Sequence, residues 1–173
     1  MRIELADIIS SEDKEMSKQA EVELKSFDSK LGQFPIVKKE LFVMKFTNES
    51  NKHLLIQGET ELTIAIPCGR CLEDVDRTFH IVIEKEIDLT GSNEEKSMDG
   101  SDYMTGMILD VDQLIFGEIL MRWPMKVLCR EDCKGICMRC GANLNITECQ
   151  CRKAEPDPRM AAIQDIFNRF KEV

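Results

Sequence analysis

One stretch decides the fold class, Phe79-His80-Ile81-Val82-Ile83-Glu84-Lys85-Glu86-Ile87-Asp88-Leu89. Its residues alternate between apolar and polar along most of its length. The apolar set is Phe79, Ile81, Ile83, Ile87 and Leu89; the polar set is His80, Glu84, Glu86 and Asp88. Alternation with a period of two, rich in β-branched residues, predicts a half-buried β-strand. Residues 60–66 follow the same rule, with Leu62, Ile64 and Ile66 facing inward, so they predict a second strand.

Further strand patterns precede these two. Lys38 to Thr47 is a candidate strand that ends in a turn at 48–51, and Ala20-Val22-Leu24 is a shorter one. Gly58 predicts a bulge or the end of a separate strand. Strands that follow one another through short turns favour an antiparallel meander over βαβ units. We therefore expect residues 1–90 to form an antiparallel sheet or a partly open barrel.

Helical patterns appear only after this region. Residues 91–103 are polar and aperiodic and predict a mobile loop or linker. A helix over 110–123 should begin at the N-cap Asp110 and end near Pro124. Its apolar residues predict burial against the sheet: Val111, Leu114, Ile115, Ile119 and Leu120. Asp157-Pro158 predicts the start of a last helix. That helix carries an apolar stripe for the core or a partner, formed by Ile163, Ile166, Phe167 and Phe170.

These elements predict an α+β fold in one compact domain. Its parts are a β-rich body (1–128), a cysteine module (129–153) and a C-terminal helix (154–173). The chain has 173 residues, of which 43% are hydrophobic, so it can bury a sizeable core. No run approaches the ~18–20 apolar residues of a membrane span, and the acidic start is unlike a signal peptide. We expect a soluble cytoplasmic protein without a membrane partner, whose thiols stay reduced.

Charge constrains the partners. The net charge is −9, but residues 1–120 carry a formal −12 and residues 121–153 a formal +4. An acidic surface repels nucleic-acid phosphates, so general nucleic-acid binding is disfavoured. A basic protein partner, or a small RNA contact through 121–153, is compatible with this distribution. The basic residues there are Arg122, Lys126, Arg130, Lys134, Arg139, Arg152 and Lys153.

The eight cysteines fall in two windows. They are Cys68 and Cys71 in the first, and Cys129, Cys133, Cys137, Cys140, Cys149 and Cys151 in the second. Tetrahedral zinc prefers four thiolates, and the tight turn of Cys-x-x-Cys supplies two of them. Because unrelated core thiols are not spaced in pairs, the pattern predicts one or two structural zinc ions. Disulfides are the weaker explanation in a reducing compartment.

The chain order favours two sets of four ligands. Cys68, Cys71, Cys129 and Cys133 would tie the sheet to the end of the buried helix. Cys137, Cys140, Cys149 and Cys151 would close a separate loop, in which Gly141 would suit a close backbone approach. A swapped pairing stays open. Cys149 and Cys151 form the weakest pair, because alternate strand residues point to opposite faces.

Catalytic patterns are weak. The only histidines, His53 and His80, lie in strand-like segments away from the cysteines. Cys68-Gly-Arg-Cys71 has the spacing of a thioredoxin-type motif, but that chemistry needs a strand-to-helix junction. We find no phosphate loop, Ser/His/Asp set or small-molecule site in the pattern. A non-enzymatic protein is expected, with a thiol redox or metal-handling protein as the alternative.

Three motifs resemble the YceD family, the large ribosomal RNA subunit accumulation proteins. They are Ile66-Pro-Cys68-Gly-Arg-Cys71-Leu-Glu73, the run from Cys129 to Asn145 that resembles Gram-positive-type members, and Asp157-Pro-Arg-Met-Ala-Ala162. The resemblance implies a role in large-subunit ribosomal RNA accumulation and ribosome assembly. It implies a ribosomal protein or a large-subunit assembly intermediate as partner. A direct RNA-binding zinc module is the other alternative.

Overall fold

The computed structural model describes residues 1–11, 13–90, 103–151 and 163. The chain forms nine strands and two helices within these residues. In chain order they are β1 (Arg2–Glu4), α1 (Ala6–Ile9), β2 (Glu15–Ala20), β3 (Ser26–Ser29), β4 (Gly32–Lys39), β5 (Phe42–Glu49), β6 (His53–Pro67), β7 (Asp74–Asp88), β8 (Met104–Thr105), β9 (Ile108–Asp110) and α2 (Val111–Met121).

The main sheet has six strands and is organised around β6. β6 and β7, each of 15 residues, pair along their full length. The other edge of β6 is shared, since β5 pairs with residues 53–58 and β4 with residues 62–64. β2 extends the sheet beside β5, and β3 extends it beside β4. A small sheet has the order β1-β9-β8. Every pairing is antiparallel and the described strands close no barrel, so the α+β prediction is confirmed.

The core lies between the inner face of the main sheet and α2. Phe79, Ile81 and Ile83 of β7 are buried there, as the alternating pattern predicts. Asp110 is the N-cap of α2, and its carboxylate accepts hydrogen bonds from the Asp112 and Gln113 N–H groups. The buried apolar residues of α2 are Val111, Leu114, Ile115 and Ile119. Leu120, predicted to be buried, is half exposed. Pairing an alternating strand face with a capped apolar helix thus builds one continuous core.

Two contacts fix the C-terminal end of α2. The Trp123 ring stacks on Phe27 at 4.7 Å between ring centroids and also contacts Phe34 and Phe79. The buried Glu118 carboxylate pairs with the Lys85 ammonium at 2.7 Å and with the Arg122 guanidinium. Burial acts to raise the pKa of Glu118, but hydrogen bonds from the two cations outweigh it and hold that pKa below its ordinary value. The chain therefore leaves α2 from a defined position on β7.

Three strand predictions need correction. β6 runs without interruption through Gly58, where a Cβ would lie 3.3 Å from the Val43 carbonyl oxygen. This glycine serves close strand approach, and the register shift instead lies in β4 between Ile36 and Lys38. The segment from Lys38 to Thr47 belongs to two strands, β4 and β5. Of the proposed strand Ala20-Val22-Leu24, only Ala20 is in a strand, the end of β2.

Two predicted segments lie almost wholly outside the described residues. The polar loop over 91–103 does so except for Tyr103. The C-terminal helix over 154–173 does so except for Ile163, which is helical with an exposed side chain. In the described part of the chain, no helix is long and apolar enough to cross a membrane.

Candidate metal centres

The first cysteine tetrad joins the end of the sheet to the segment after α2. Cys68 and Cys71 lie in the turn between β6 and β7, and Cys129 and Cys133 follow α2. All but the exposed Cys129 are buried. Val75, Leu128 and Ile136 pack around them as a small apolar cluster. This tetrad therefore forms a second, smaller core beside the main one.

The sulfur positions fit a metal ion. The Sγ atoms of Cys68 and Cys133 are 3.8 Å apart, and those of Cys71 and Cys129 are 3.6 Å apart. A tetrahedron with zinc–sulfur bonds of ~2.3 Å has sulfurs about 3.8 Å apart. A disulfide bond is only about 2.05 Å long. All four sulfurs lie within 4.8 Å of one another, so the tetrad could hold a metal ion.

The ionisation of this tetrad is uneven. Backbone N–H groups of Cys71, Arg70 and Cys129 surround the Cys68 sulfur and, against the effect of burial, lower the pKa of Cys68 to about 6. Burial and the neighbouring thiols raise the pKa of Cys129 to about 12. Four thiolates this close repel one another unless a cation lies between them. Four sulfurs at these distances could therefore act together as ligands of one metal ion.

Backbone contacts also join the two sides of the first tetrad. The Gly69 N–H donates to the Val127 carbonyl at 2.8 Å. The Arg70 guanidinium donates to the carbonyls of Cys133 at 2.9 Å and Glu131 at 3.3 Å. The turn after β6 is thus seated on residues 127–133 by hydrogen bonds as well as by the cysteines.

Cys137, Cys140, Cys149 and Cys151 form the second tetrad. Their sulfurs also lie within 4.8 Å of one another, so this set could hold a metal ion too. Cys149 and Cys151 converge because residues 147–151 are outside any strand, which removes the difficulty of alternate side chains. Cys140 is exposed and the other three are half buried. The grouping is the one that chain order favours, and the swapped pairing is not formed.

The N–H groups around Cys137 repeat those around Cys68. Hydrogen bonds from the Cys140 and Arg139 N–H groups lower the pKa of Cys137 to about 6. The nearby Cys140 thiol raises the pKa of Cys151 to about 12. One cysteine in each tetrad is therefore prepared as a thiolate by its own turn.

Asn145 and Gly135 connect the two tetrads, and the sequence analysis missed both. The Asn145 amide donates to the Cys133 sulfur at 3.3 Å, and its oxygen accepts from the Lys134 N–H at 2.8 Å. Gly135 has φ +78°, and a Cβ there would lie 3.1 Å from the Arg70 carbonyl oxygen. A glycine and an amide between paired cysteines are the sequence signals that could have drawn attention to them.

The role of Gly141 differs from the one predicted. No atom lies within 4 Å of a Cβ built there, so close approach is not its purpose. Its φ of +71° is the left-handed conformation that glycine adopts without strain. The N–H of Gly141 donates to the Cys137 carbonyl at 2.8 Å, which closes the turn.

The outer face of β6 and β7 is acidic. Its exposed or half-exposed carboxylates are Glu59, Glu61, Glu84, Glu86 and Asp88. Both histidines lie on this face, where His80 Nε2 is 2.6 Å from Glu61 and His53 Nδ1 is 3.0 Å from Glu86. Neither belongs to a cysteine tetrad. We call this surface the acidic face.

Comparison with known proteins identifies a family and several relatives. A family model described as "Large ribosomal RNA subunit accumulation protein YceD" matches residues 56–167, more than half of the chain and both tetrads. The chain belongs to the YceD family. A similar relative is the Arabidopsis thaliana chloroplast protein named "Large ribosomal RNA subunit accumulation protein YCED homolog 1", 26% identical over 70% of this chain and 46% of its own length.

Bacterial relatives are similar at the same level. YlbN of Bacillus subtilis, an uncharacterized protein, is 27% identical over 68% of this chain and 66% of its own length. An uncharacterized Mycobacterium bovis protein is 26% identical over 66% of this chain and 56% of its own. The YceD chain thus spans about half to two thirds of these relatives. No solved structure matches it significantly.

Proposed function

We propose that the protein is a non-enzymatic zinc-binding factor that supports accumulation of large-subunit ribosomal RNA, and hence ribosome assembly, in the cytoplasm. The observation that carries this proposal is the YceD family match, which spans both cysteine tetrads. The name of the Arabidopsis relative refers to the same process. The molecular role that we assign is binding and positioning of an assembly component.

Zinc is the ion that suits both tetrads. Tetrahedral sites of four sulfurs select zinc or iron, and zinc with four cysteines is the usual structural centre. Each ion would be held by one tetrad: Cys68, Cys71, Cys129 and Cys133, or Cys137, Cys140, Cys149 and Cys151. Four protein ligands leave no position open for a substrate, which favours a structural over a catalytic ion.

The acidic face supports a basic protein partner. Its carboxylates lie on two long paired strands, which hold them in a regular array. Such an array attracts Lys- and Arg-rich surfaces, speeds their encounter and repels phosphate. Ribosomal proteins or an assembly intermediate containing them are partners of this chemistry. Direct RNA binding through the basic residues of 121–153 is the competing function, and the test below separates the two.

Metal content and partner choice test the proposal separately. Elemental analysis of protein purified without chelator should give one to two zinc ions per chain, whereas iron would give a coloured protein. Cys71→Ser should release the first ion and lower the melting temperature, because binding energy at such a site is folding energy. A variant that melts like the wild type after losing its metal would disprove the structural role.

Binding is measured across a salt series against purified large-subunit proteins and a ribosomal RNA fragment. We expect salt-sensitive binding to a basic protein that weakens when Glu59, Glu61 and Glu84 are all changed to Gln. Changing Arg130 and Lys134 to Ala should affect that binding less. Tight binding to naked RNA that is lost in this second variant would establish the RNA-binding alternative instead.

A further inference from the structure

The chain contains two copies of one structural unit, which we call the knuckle. The first is Cys68-Gly-Arg-Cys71-Leu72 and the second is Cys137-Met-Arg-Cys140-Gly141. In each, the fifth residue has a positive φ, +64° or +71°, and donates its N–H to the carbonyl of the first cysteine, at 3.0 or 2.8 Å. Each places arginine third. The contacts of the first knuckle therefore indicate which contacts the second knuckle can make.

The tip of the first knuckle is occupied by the chain itself. Its second residue, Gly69, donates its N–H to the Val127 carbonyl, and its third, Arg70, donates to two more carbonyls at Glu131 and Cys133. All three acceptors are main-chain oxygens of one irregular segment, residues 127–133. The knuckle thus works as a clamp for a turning stretch of backbone.

The tip of the second knuckle has no such occupant among the described residues. Met138 is 94% exposed and Arg139 is also exposed. Within the described ranges, neither the Met138 N–H nor the Arg139 guanidinium has an acceptor. The Cβ of a methionine in place of glycine does not obstruct docking, because a Cβ at Gly69 would lie 3.5 Å from the Val127 oxygen, an ordinary contact.

We propose that the second knuckle, through Met138 and Arg139, binds the main-chain carbonyls of an irregular segment of a protein partner. The acceptors would be spaced like those of residues 127, 131 and 133 on the first knuckle. This inference rests on the proposed zinc occupancy of the second tetrad. Four thiolates around Zn²⁺ carry a formal −2. Because Cys137 and Cys140 belong to the knuckle itself, that charge would repel a phosphate at the tip more strongly than a neutral carbonyl group, so a polypeptide is the occupant that fits.

Photo-crosslinking of the full chain in its own cells identifies the occupant. Benzoylphenylalanine replaces Met138, and the control replaces Met125, a fully exposed methionine outside both knuckles. The expected product at position 138 is an adduct with one defined segment of another protein, absent at position 125. A nucleotide adduct, an adduct with residues 152–173 of the same chain, or no adduct would overturn the proposal.

Binding of that segment, made as a synthetic peptide, then tests the arginine. Arg139→Lys keeps the charge but removes the planar fork, and should weaken peptide binding to the zinc-loaded chain about tenfold or more, because the paired hydrogen bonds from the guanidinium are lost. The matched control Arg130→Lys should leave binding unchanged. Equal binding by both variants would refute the clamp.

Metal content separates the two proposals. If Arg139→Lys keeps all the zinc of the wild type and still binds normally, only the clamp fails. If the wild-type chain holds metal in its first tetrad but none in its second, the clamp fails and the proposed function stands. If it holds no metal in either tetrad, both fail.

Discussion

Replacing Gly135 by alanine should destabilise the packing around the first tetrad, and should do so more than the same change at Gly141 destabilises the protein. Both glycines have left-handed φ values, +78° and +71°. A Cβ at 135 would lie 3.1 Å from the Arg70 carbonyl oxygen, whereas a Cβ at 141 meets no atom within 4 Å. Gly141→Ala is therefore a matched control that carries the backbone strain without the collision.

The expected difference in stability between the two variants follows from the backbone strain, which they share, and from the collision, which only Gly135→Ala has. A non-glycine residue in the left-handed region costs about 1–2 kcal/mol in either variant. Relief of the collision at 135 requires movement of Arg70, whose guanidinium holds the Cys133 carbonyl at 2.9 Å. Overpacking of a fixed site adds about 1–3 kcal/mol. For a chain of this size, 1 kcal/mol corresponds to about 2–4 °C, so Gly135→Ala should melt about 2–12 °C below Gly141→Ala.

Thermal unfolding followed by circular dichroism, with metal content measured before each melt, is the assay. Weaker metal retention in Gly135→Ala would agree with the expected result, because Cys133 precedes this glycine by two residues. Equal melting temperatures for the two variants, with equal metal content, would refute the argument that Gly135 is required by its contact with Arg70.

Three further predictions concern single residues. Glu118→Gln should lower the free energy of unfolding by about 1–3 kcal/mol. Urea unfolding measures this, with Glu84→Gln at an exposed position as the control. The pKa of Glu118 is lowered on folding, so its stabilising effect is present above the unfolded pKa and is lost as pH falls through the folded pKa. If the loss of stability in Glu118→Gln were as large in acid as at neutral pH, this argument would be wrong. Asn145→Ala should weaken metal binding at the first tetrad about 10–100-fold, by chelator competition; unchanged affinity would show that its hydrogen bond to Cys133 is dispensable. Leu72→Gly relieves a φ of +64° and should leave the melting temperature equal or raised by a few degrees, since relief of about 1–2 kcal/mol offsets the added freedom of the unfolded chain; a clear decrease would show that Leu72 makes a contact of its own.

Periodicity predicted the centre of the sheet because its strands bury one face only. Phe79, Ile81 and Ile83 alternate with polar residues, and that pattern depends on no distant part of the chain. Asp110 could be identified for a similar reason, since a cap acts on N–H groups two and three residues away. Short elements carry no such signal. β1 has three residues and is held by β9, more than 100 residues later in the chain.

The break between β4 and β5 was missed because Lys38 to Thr47 contains no glycine or proline to mark a turn. The opposite error occurred at Gly58. A glycine inside a strand pattern indicates either a bulge or close backbone approach, and only the register with Met44 and Ile83 distinguishes them. Ambiguous local signals were thus decided by strand pairing, which the local pattern does not contain.

The composition of the cysteine tetrads was predictable, but their environment was not. Chain order alone favours the two observed groups, since each closes with the shorter loops. Burial depends on packing: the first tetrad is covered by Val75, Leu128 and Ile136, while the second lies in a short module with little apolar material. Asn145 and Gly135 act through contacts with Cys133 and Arg70 that depend on how the chain packs around the first tetrad, so the sequence marks them weakly.

Because the environments of the two tetrads differ, the two knuckles have different roles. The first knuckle has its donors filled by residues 127–133 and its sulfurs buried, so a metal there can only add stability to the junction of sheet and helix. In the described part of the chain, the second knuckle leaves the Met138 N–H and the Arg139 guanidinium without acceptors, and its Cys140 is exposed. A metal ion bound there would contribute little to the core. Its effect would be to hold two donors at a fixed spacing on the surface, as the proposed recognition of a partner backbone requires. The same motif therefore joins two parts of the protein at the first site and, in the role that we propose, offers hydrogen-bond donors to a partner at the second.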